Sequence, residues 1–183
     1  MKIMAICGSL RKDSYNRALL KIAQEVAPKG VTIEIVELAG IPVFNQDEEE
    51  SPPKAVKDFK NKIKKADAIL ISTPEYNYSI PGPLMNAIDT ASRPYGENVW
   101  DGKVVGLMGA SMGMQGTSRA QLQLRQAFVY LNIHTLNKPE VMIGVVHEKF
   151  DKNGRLIDPK TKAKVAELVE ALVDLVKEKQ GSD

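Results

Sequence analysis

Residues 2–27 read KIMAICGSLRKDSYNRALLKIAQEVA and place a predicted strand, a polar loop and a predicted helix in direct succession. Residues 3–7 are all apolar, as in a buried strand, and residues 16–27 repeat apolar side chains at helical spacing. The connecting segment GSLRKDSYN (8–16) carries hydroxyls, an amide and a guanidinium. A plain connection between a strand and a helix requires only a few residues and no charge, so this loop is a candidate ligand site.

Strands and helices alternate along the rest of the chain. Residues 67–73 (DAILIST) and 104–111 (VVGLMGAS) are continuous apolar runs typical of strands covered on both faces, whereas residues 31–38 alternate as expected near a sheet edge. The predicted strands are 2–7, 31–38, 67–73, 104–111 and 140–146, and the predicted helices are 16–27, 53–66, one beginning near Pro83, 118–132 and 159–179. An excursion at 150–158 is expected to turn at Asn153-Gly154.

This order of elements predicts the fold. Alternating strands and helices with no internal repeat and no linker predict a single α/β domain over residues 1–183. A five-stranded parallel sheet with helices on both faces, a three-layer sandwich, favours the flavodoxin-like strand order 2-1-3-4-5 over a larger dinucleotide-binding sheet. Ligands of such sheets bind at the carboxyl ends of the strands, near the reversal of order between strands 1 and 3. The loops after Cys7, Thr73 and Ala110 are therefore the candidates.

The composition excludes several classes of protein. Hydrophobic residues make up 43% of the chain, too many for a disordered protein. The net charge is only +2, with 25 Lys and Arg residues against 23 Asp and Glu residues, so no basic field for nucleic acid is expected. One cysteine and two histidines do not make a metal site at any standard spacing.

The cysteine content and the N-terminus indicate the compartment. The single thiol, Cys7, has no internal disulfide partner, and its place in a strand favours a core residue over a redox thiol. No stretch reaches the length of a membrane span, and the chain begins directly with a strand pattern. We expect a cytoplasmic protein that binds no membrane.

The first loop is suited to an anion. It lacks the second glycine and the Lys-Ser/Thr pair of a Walker A loop, and the three spaced glycines of a dinucleotide fingerprint. Hydroxyl, amide and guanidinium groups instead stand at the start of the first helix, where main-chain N–H groups and the helix dipole favour a phosphate. These residues are Ser9, Arg11, Ser14 and Asn16. The alternative is an ordinary helix start capped by Ser14, with Arg11 in solvent.

The second loop is suited to a flat polar ring, and the third to close contact between its main-chain N–H groups and a ligand. Residues 73–93, TPEYNYSIPGPLMNAIDTASR, begin with a stiff proline-rich stretch that carries hydrogen-bonding side chains at 75–78. The alternative is a proline-rich turn whose tyrosines pack on a neighbouring subunit. In GASMGMQGTS (109–118), three glycines let the backbone approach a ligand, but Ser111 interrupts any G-x-G-x-x-G pattern. Together the loops fit a mononucleotide better than a dinucleotide.

Two of these segments resemble a known enzyme family. GSLRKDSYN is similar to the G-S-x-R-x-x-S-x-N phosphate loop of the NAD(P)H-dependent FMN reductases. Residues 74–93 resemble that family's P-E-Y-N-x-S-x-P-x-x-L-K-N-A-I-D-x-x-S-R segment, with Met85 in place of the usual lysine. Residues 137–151, NKPEVMIGVVHEKFD, are similar to the branch of bacterial quinone, chromate and azo reductases.

The resemblance implies a cofactor, a reaction and a set of site residues. It implies a flavodoxin-like homodimer or homotetramer that binds FMN, accepts hydride from NADPH or NADH, and reduces quinones, azo or nitro compounds, free flavin or oxidised metal ions. By position, the FMN-binding residues are Ser9, Arg11, Ser14 and Asn16, with Tyr15 between them, at the phosphate; Pro74, Glu75, Tyr76 and Asn77 at the isoalloxazine ring; and Ser111 and Gly113 at its pyrimidine side. No catalytic acid, base or nucleophile is assigned.

Other functions fit parts of the sequence. A flavodoxin-type electron carrier or a regulatory flavin-binding protein would bind FMN without oxidising NAD(P)H, but the carriers are strongly acidic and have a Thr/Ser-x-Thr-Gly-x-Thr loop. A serine hydrolase using Ser9 lacks the G-x-S-x-G elbow. Several roles stay open: Tyr95 and Trp100 at the substrate face or a subunit interface, Arg93 at a cofactor phosphate or an interface carboxylate, and Tyr130 and Glu148 between subunits.

Overall fold

The computed structural model describes residues 1–181 and shows a parallel sheet between two layers of helices. The strands are β1 (Lys2–Cys7), β2 (Thr32–Val36), β3 (Ala68–Ser72), β4 (Val104–Ala110), β5 (His134–Thr135) and β6 (Val141–Ile143). The helices are α1 (Tyr15–Glu25), α2 (Lys54–Lys65), α3 (Gly82–Ala91), α4 (Ser118–Tyr130) and α5 (Pro159–Gln180), with short 3₁₀ turns at Gln46–Glu48 and Val146–Glu148. The last two positions of the expected 1–183 domain lie outside the described residues.

The sheet has the order β2-β1-β3-β4-β5, and all of its strand pairs are parallel. This confirms the flavodoxin-like arrangement with its reversal of order between β1 and β3. Every residue of β3 and β4 is buried, as their continuous apolar runs predict. The carboxyl ends of β1, β3 and β4 therefore meet at one edge of the sheet, each followed by one of the three polar loops.

The fifth strand differs from the prediction. The sequence predicts a strand over 140–146, but the edge is split: β5 pairs with the start of β4, and β6 pairs with its end. β6 stops at Ile143 because the next N–H groups bond the third loop, Val145 donating to Gly113 O and Val146 to Ser111 O. Val145 itself has φ 49°, a left-handed conformation that no strand continues through.

Each face of the sheet carries its own apolar core. α1 and α5 cover one face, whereas α2, α3 and α4 cover the other. Trp100 is fully buried in the second core, where its indole N–H donates to Ile88 O at 3.1 Å. Since no part of its ring reaches the surface, Trp100 lies neither at a substrate face nor at a subunit interface, and both alternatives given for it are wrong. Full burial with the N–H bonded is where a large indole contributes most to stability.

The excursion before α5 has the predicted turn. Phe150 and Leu156 form an antiparallel bridge, and the Asp151 carboxylate accepts the N–H groups of Asn153 and Arg155. Gly154 takes φ 74°, which glycine adopts without steric cost. Within residues 1–181, no helix combines the length and apolarity needed to cross a bilayer.

Candidate functional site

The three polar loops enclose one open cleft at the carboxyl edge of the sheet. Its volume is about 1080 Å³, enough for a mononucleotide. All eleven residues predicted from the sequence as cofactor-binding line this cleft: Ser9, Arg11, Ser14, Tyr15, Asn16, Pro74, Glu75, Tyr76, Asn77, Ser111 and Gly113. Seven further residues, none of them among the eleven, line it as well: Tyr78, Ala110, Met112, Met114, Gln115, Gly116 and Arg119.

The end of the cleft at which the sequence predicts a phosphate is the start of α1. Ser14 occupies the N-cap position in an extended conformation, but its hydroxyl makes no capping hydrogen bond and lies 3.9 Å from Cys7 Sγ. The alternative of a helix start capped by Ser14 therefore does not hold. No acidic residue occupies the first turn of α1, so its N–H groups and positive dipole end suit an anion.

The hydroxyl of Ser9 organises the loop before α1. It accepts the Arg11 N–H at 3.2 Å and lies 3.4 Å from the Tyr76 hydroxyl, which links the first loop to the second. Arg11 is exposed, and its guanidinium carbon lies 5.5 Å from the centre of the Tyr15 ring. The loop thus presents two serine hydroxyls and a guanidinium beside the uncapped helix.

Asn16 uses its side chain within the protein. Its Oδ1 accepts the Ala110 N–H at 2.9 Å and the Ser72 hydroxyl at 3.0 Å, and its Nδ2 donates to Ala110 O at 3.0 Å. This buried amide joins α1 to the ends of β3 and β4. The main-chain N–H of Asn16 lies in the first turn of α1, among the N–H groups that suit an anion. Its side chain, by contrast, holds that turn in place against the sheet.

Cys7 lies in the core beneath Ser14. Burial raises the pKa of its thiol, with partial opposition from hydrogen bonds with Ser9 and Ser14. A buried thiol with a raised pKa stays protonated at neutral pH and is a poor nucleophile. The structure thus agrees with its prediction as a core residue.

The second loop forms a tight hairpin. Tyr76 and Ser79 exchange main-chain hydrogen bonds of 3.2 and 2.9 Å, and the two central residues, Asn77 and Tyr78, have φ 52° and 63°. Two successive positive φ values define a type I′ turn, in which asparagine is favoured. The Tyr76 and Tyr78 rings stay exposed on the cleft side.

The Glu75 carboxylate bonds the start of α4. It is 8% exposed and accepts the N–H groups of Arg119 and Ala120 as well as the Arg119 guanidinium. Glu75 therefore lines the cleft at its edge while its charge is engaged elsewhere. Arg119 is missed by sequence reasoning because its partner lies 44 residues away, although its place just after the third loop was a usable signal.

The third loop is held against β6. Ser111 N–H donates to Ile143 O, Gly116 N–H donates to Gly113 O, and the Ser111 hydroxyl donates to Gly116 O at 2.6 Å. Gly116 has φ 60°, and a Cβ there would lie 2.8 Å from the Met142 carbonyl carbon. These bonds leave residues 112–115 as the candidates for main-chain donors to a ligand.

Arg93 and Tyr95 lie outside the cleft lining. The Arg93 guanidinium stacks on the Tyr95 ring at 4.0 Å and faces Glu49 at 3.9 Å within the same chain. Arg93 therefore lies away from the site predicted for the cofactor phosphate, and its role at an interface carboxylate stays a prediction.

Comparison with known proteins gives the family. The sequence profile described as NADPH-dependent FMN reductase matches residues 1–148, most of the chain. The chain belongs to this family. An NAD(P)H-dependent FMN reductase of Pseudomonas aeruginosa is 47% identical, over 94% of this chain and 93% of that protein. An NAD(P)H:quinone oxidoreductase of Solanum tuberosum is 43% identical, over 99% and 95%.

A solved relative shares both the family and the fold. The flavoenzyme NAD(P)H:(acceptor) oxidoreductase FerB from Paracoccus denitrificans has a TM-score of 0.88 and 35% identity, over 97% of each chain. The present protein is accordingly an oxidoreductase with FMN as its cofactor and NAD(P)H as its co-substrate. The cleft fits this cofactor, because the uncapped start of α1 suits a phosphate and the volume of about 1080 Å³ that the three loops enclose leaves room for the ring.

Proposed function

We propose that the protein transfers hydride from NAD(P)H to bound FMN and delivers the two electrons to quinones. The observation that carries the proposal is the start of α1, where an uncapped helix end and polar side chains face one cleft with an aromatic hairpin. Relatives named quinone reductase, such as one from Pseudomonas putida at 40% identity, support the choice of acceptor.

The first loop would hold the phosphate of FMN. The hydroxyls of Ser9 and Ser14, the guanidinium of Arg11 and the first N–H groups of α1 are donors close together at one end of the cleft. Each charge-assisted hydrogen bond to such an anion contributes about 1.5–3 kcal/mol. The Asn16 side chain supports this group of donors by fixing α1 to the sheet.

The second and third loops would hold the ring. The rigid segment 74–77 provides a floor, and main-chain N–H groups within 112–115 lie on the side assigned to the pyrimidine edge. Bound FMN supplies the hydride acceptor and the electron donor. The chain binds and orients it, and no side-chain acid, base or nucleophile is required for a hydride step.

One open cleft would serve both reactants in turn. The exposed Tyr76 and Tyr78 rings and the Met112 and Met114 side chains border its mouth, which suits flat apolar partners such as a nicotinamide or a quinone. We therefore expect ping-pong kinetics. Azo and nitro compounds, free flavin and oxidised metal ions such as chromate are further candidate acceptors that rest on the family resemblance alone.

The subunit arrangement and location belong to the same proposal. A homodimer or homotetramer is supported by the exposed apolar side chains of α4, where Val129 is 82% and Tyr130 79% exposed, and by a groove that Met85 and Tyr130 line. Sedimentation equilibrium of the purified protein tests this. We further propose a single domain over 1–183 and a cytoplasmic location.

Anaerobic addition of NADPH to the FMN-loaded protein tests the reaction. Loss of the flavin absorption near 450 nm, followed by its return on addition of a quinone, is the expected result, and NADH in a parallel experiment gives the preference. A flavin that keeps its colour with both nicotinamides would leave an electron carrier or a regulatory protein as the better function.

A further inference from the structure

The start of α4 is capped from a distant part of the chain. Thr117, its N-cap residue, makes no side-chain capping bond. Glu75 Oε2 takes that role, accepting the N–H groups of Arg119 at 2.9 Å and Ala120 at 3.1 Å. A carboxylate at this position also meets the positive end of the helix dipole.

The same carboxylate also holds the Arg119 side chain of α4 against the hairpin. Glu75 Oε1 accepts from the Arg119 guanidinium at 3.1 Å, and the guanidinium carbon lies 3.9 Å from the centre of the Tyr78 ring. Gln123, one turn along α4, donates to Tyr78 O and accepts from the Ser79 hydroxyl. The hairpin therefore lies along the first turns of α4, with Glu75 at the root of the contact.

At its other side the hairpin reaches the phosphate end of the cleft. The Tyr76 hydroxyl lies 3.4 Å from Ser9 Oγ, the atom that accepts the Arg11 N–H. If the hairpin moved relative to α4, the Tyr76 hydroxyl would move away from the first loop. The segment 74–77, assigned to the floor under the ring, would move with it.

We propose that Glu75 is a positioning residue that fixes the hairpin on α4 and thereby sets the shape of the flavin site, which rests on the function proposed above. Its carboxylate acts through main-chain N–H groups and through Arg119. Pro74, Tyr76 and Asn77 provide the surface towards the ring. Loss of the charge loosens the hairpin, which keeps its bonds with Gln123 on α4, and leaves the donors at the phosphate end in place.

Three variants separate the two branches of this contact. Glu75→Ala removes the cap and the ion pair. Glu75→Gln keeps an acceptor for the main-chain N–H groups but sets an amide against the guanidinium. Arg119→Ala keeps the cap and removes the contact with Tyr78. Glu34→Gln, which takes a carboxylate from the exposed Lys62 pair at the opposite edge of the sheet, is the matched charge control.

Three readouts carry the test. Amide hydrogen exchange of the FMN-free protein reports Arg119 and Ala120, which we expect to exchange about tenfold faster in Glu75→Ala, in line with a lost helix cap. Fluorescence titration gives the FMN Kd, expected to rise about tenfold in Glu75→Ala and about threefold in Glu75→Gln and Arg119→Ala. At saturating FMN, the visible circular dichroism should change in all three and stay constant in Glu34→Gln.

The outcomes distinguish this inference from the proposed function. Unchanged exchange at Arg119 and Ala120, or an FMN Kd within twofold of the parent with the same visible circular dichroism, would overturn the role of Glu75. If Glu75→Ala fails to fold, Glu75→Gln and Arg119→Ala decide by the FMN Kd and the visible circular dichroism alone, because both variants keep an acceptor for the main-chain N–H groups. The Arg11→Ala variant tests the phosphate assignment separately. If that assignment is wrong, the FMN Kd of Arg11→Ala equals that of the parent, regardless of the results for the Glu75 variants.

Discussion

Replacement of Asn16 by alanine should destabilise the protein even without FMN. The buried amide makes three hydrogen bonds, and its loss leaves the Ala110 N–H and the Ser72 hydroxyl without these partners in the interior. At about 1 kcal/mol for each bond, with a further desolvation cost for the orphaned donors, we expect a loss of roughly 3–5 kcal/mol. That is a large part of the stability of a domain, which is typically about 5–15 kcal/mol.

Urea unfolding of the FMN-free protein, followed by far-ultraviolet circular dichroism, measures this loss. Asn16→Asp should be at least as destabilising, because it keeps the acceptor but turns a second oxygen towards Ala110 O and buries a charge. Asn61→Ala, at an exposed position of α2, is the control and should stay within about 0.5 kcal/mol of the parent. A change below 1 kcal/mol in Asn16→Ala would refute the reasoning and return Asn16 to a purely ligand-binding role.

Three further predictions concern the cleft and the pH dependence of folding. Arg11→Ala should raise the FMN Kd about 10- to 100-fold, measured by fluorescence titration, with an unchanged urea midpoint, because an exposed guanidinium contributes to the ligand and not to the fold. Gly109→Ala should lower the melting temperature sharply, since its Cβ would lie 2.0 Å from a hydroxyl oxygen and 2.3 Å from a main-chain oxygen, whereas Gly82→Ala, with open space around the new methyl, should not. The hydrogen bond and charge of Arg17 lower the pKa of Glu37, so the pair stabilises the fold above the usual glutamate range and loses this effect as the pH falls through the lowered pKa. The stability difference between the parent and Glu37→Gln should therefore shrink below about pH 4.5, and a constant difference from pH 7 to 3 would contradict it.

The buried strands were predictable because burial on both faces leaves a local signature. Residues of β3 and β4 contact helices on each side, so each run is apolar throughout and needs no knowledge of its partners. Apart from the last strand, every predicted limit of a strand or helix lies within two residues of the observed one, and for the helix near Pro83 only the start was predicted. That last strand is too long in the prediction, because residues 144–146 are apolar but bond the third loop instead of continuing the sheet.

The list of residues at the cleft was predictable, but their division of labour was not. Motif spacing brings the eleven residues to one edge of the sheet, since each loop follows a strand end. Sequence spacing does not show that the side chains of Asn16 and Glu75 bond other parts of the protein, because their partners lie 94 and 44 residues away. Trp100 was misjudged for a related reason: only the packed structure shows which loop residues fold back into the core.

Two helices begin at the edge of the cleft, and only one of them has its positive end matched by a carboxylate. Glu75 neutralises the start of α4, whereas α1 has no acidic side chain in its first turn. An elongated molecule with an anionic tail therefore meets an unmatched positive helix end at α1 and not at α4. At short range this difference favours the orientation in which the tail points towards α1.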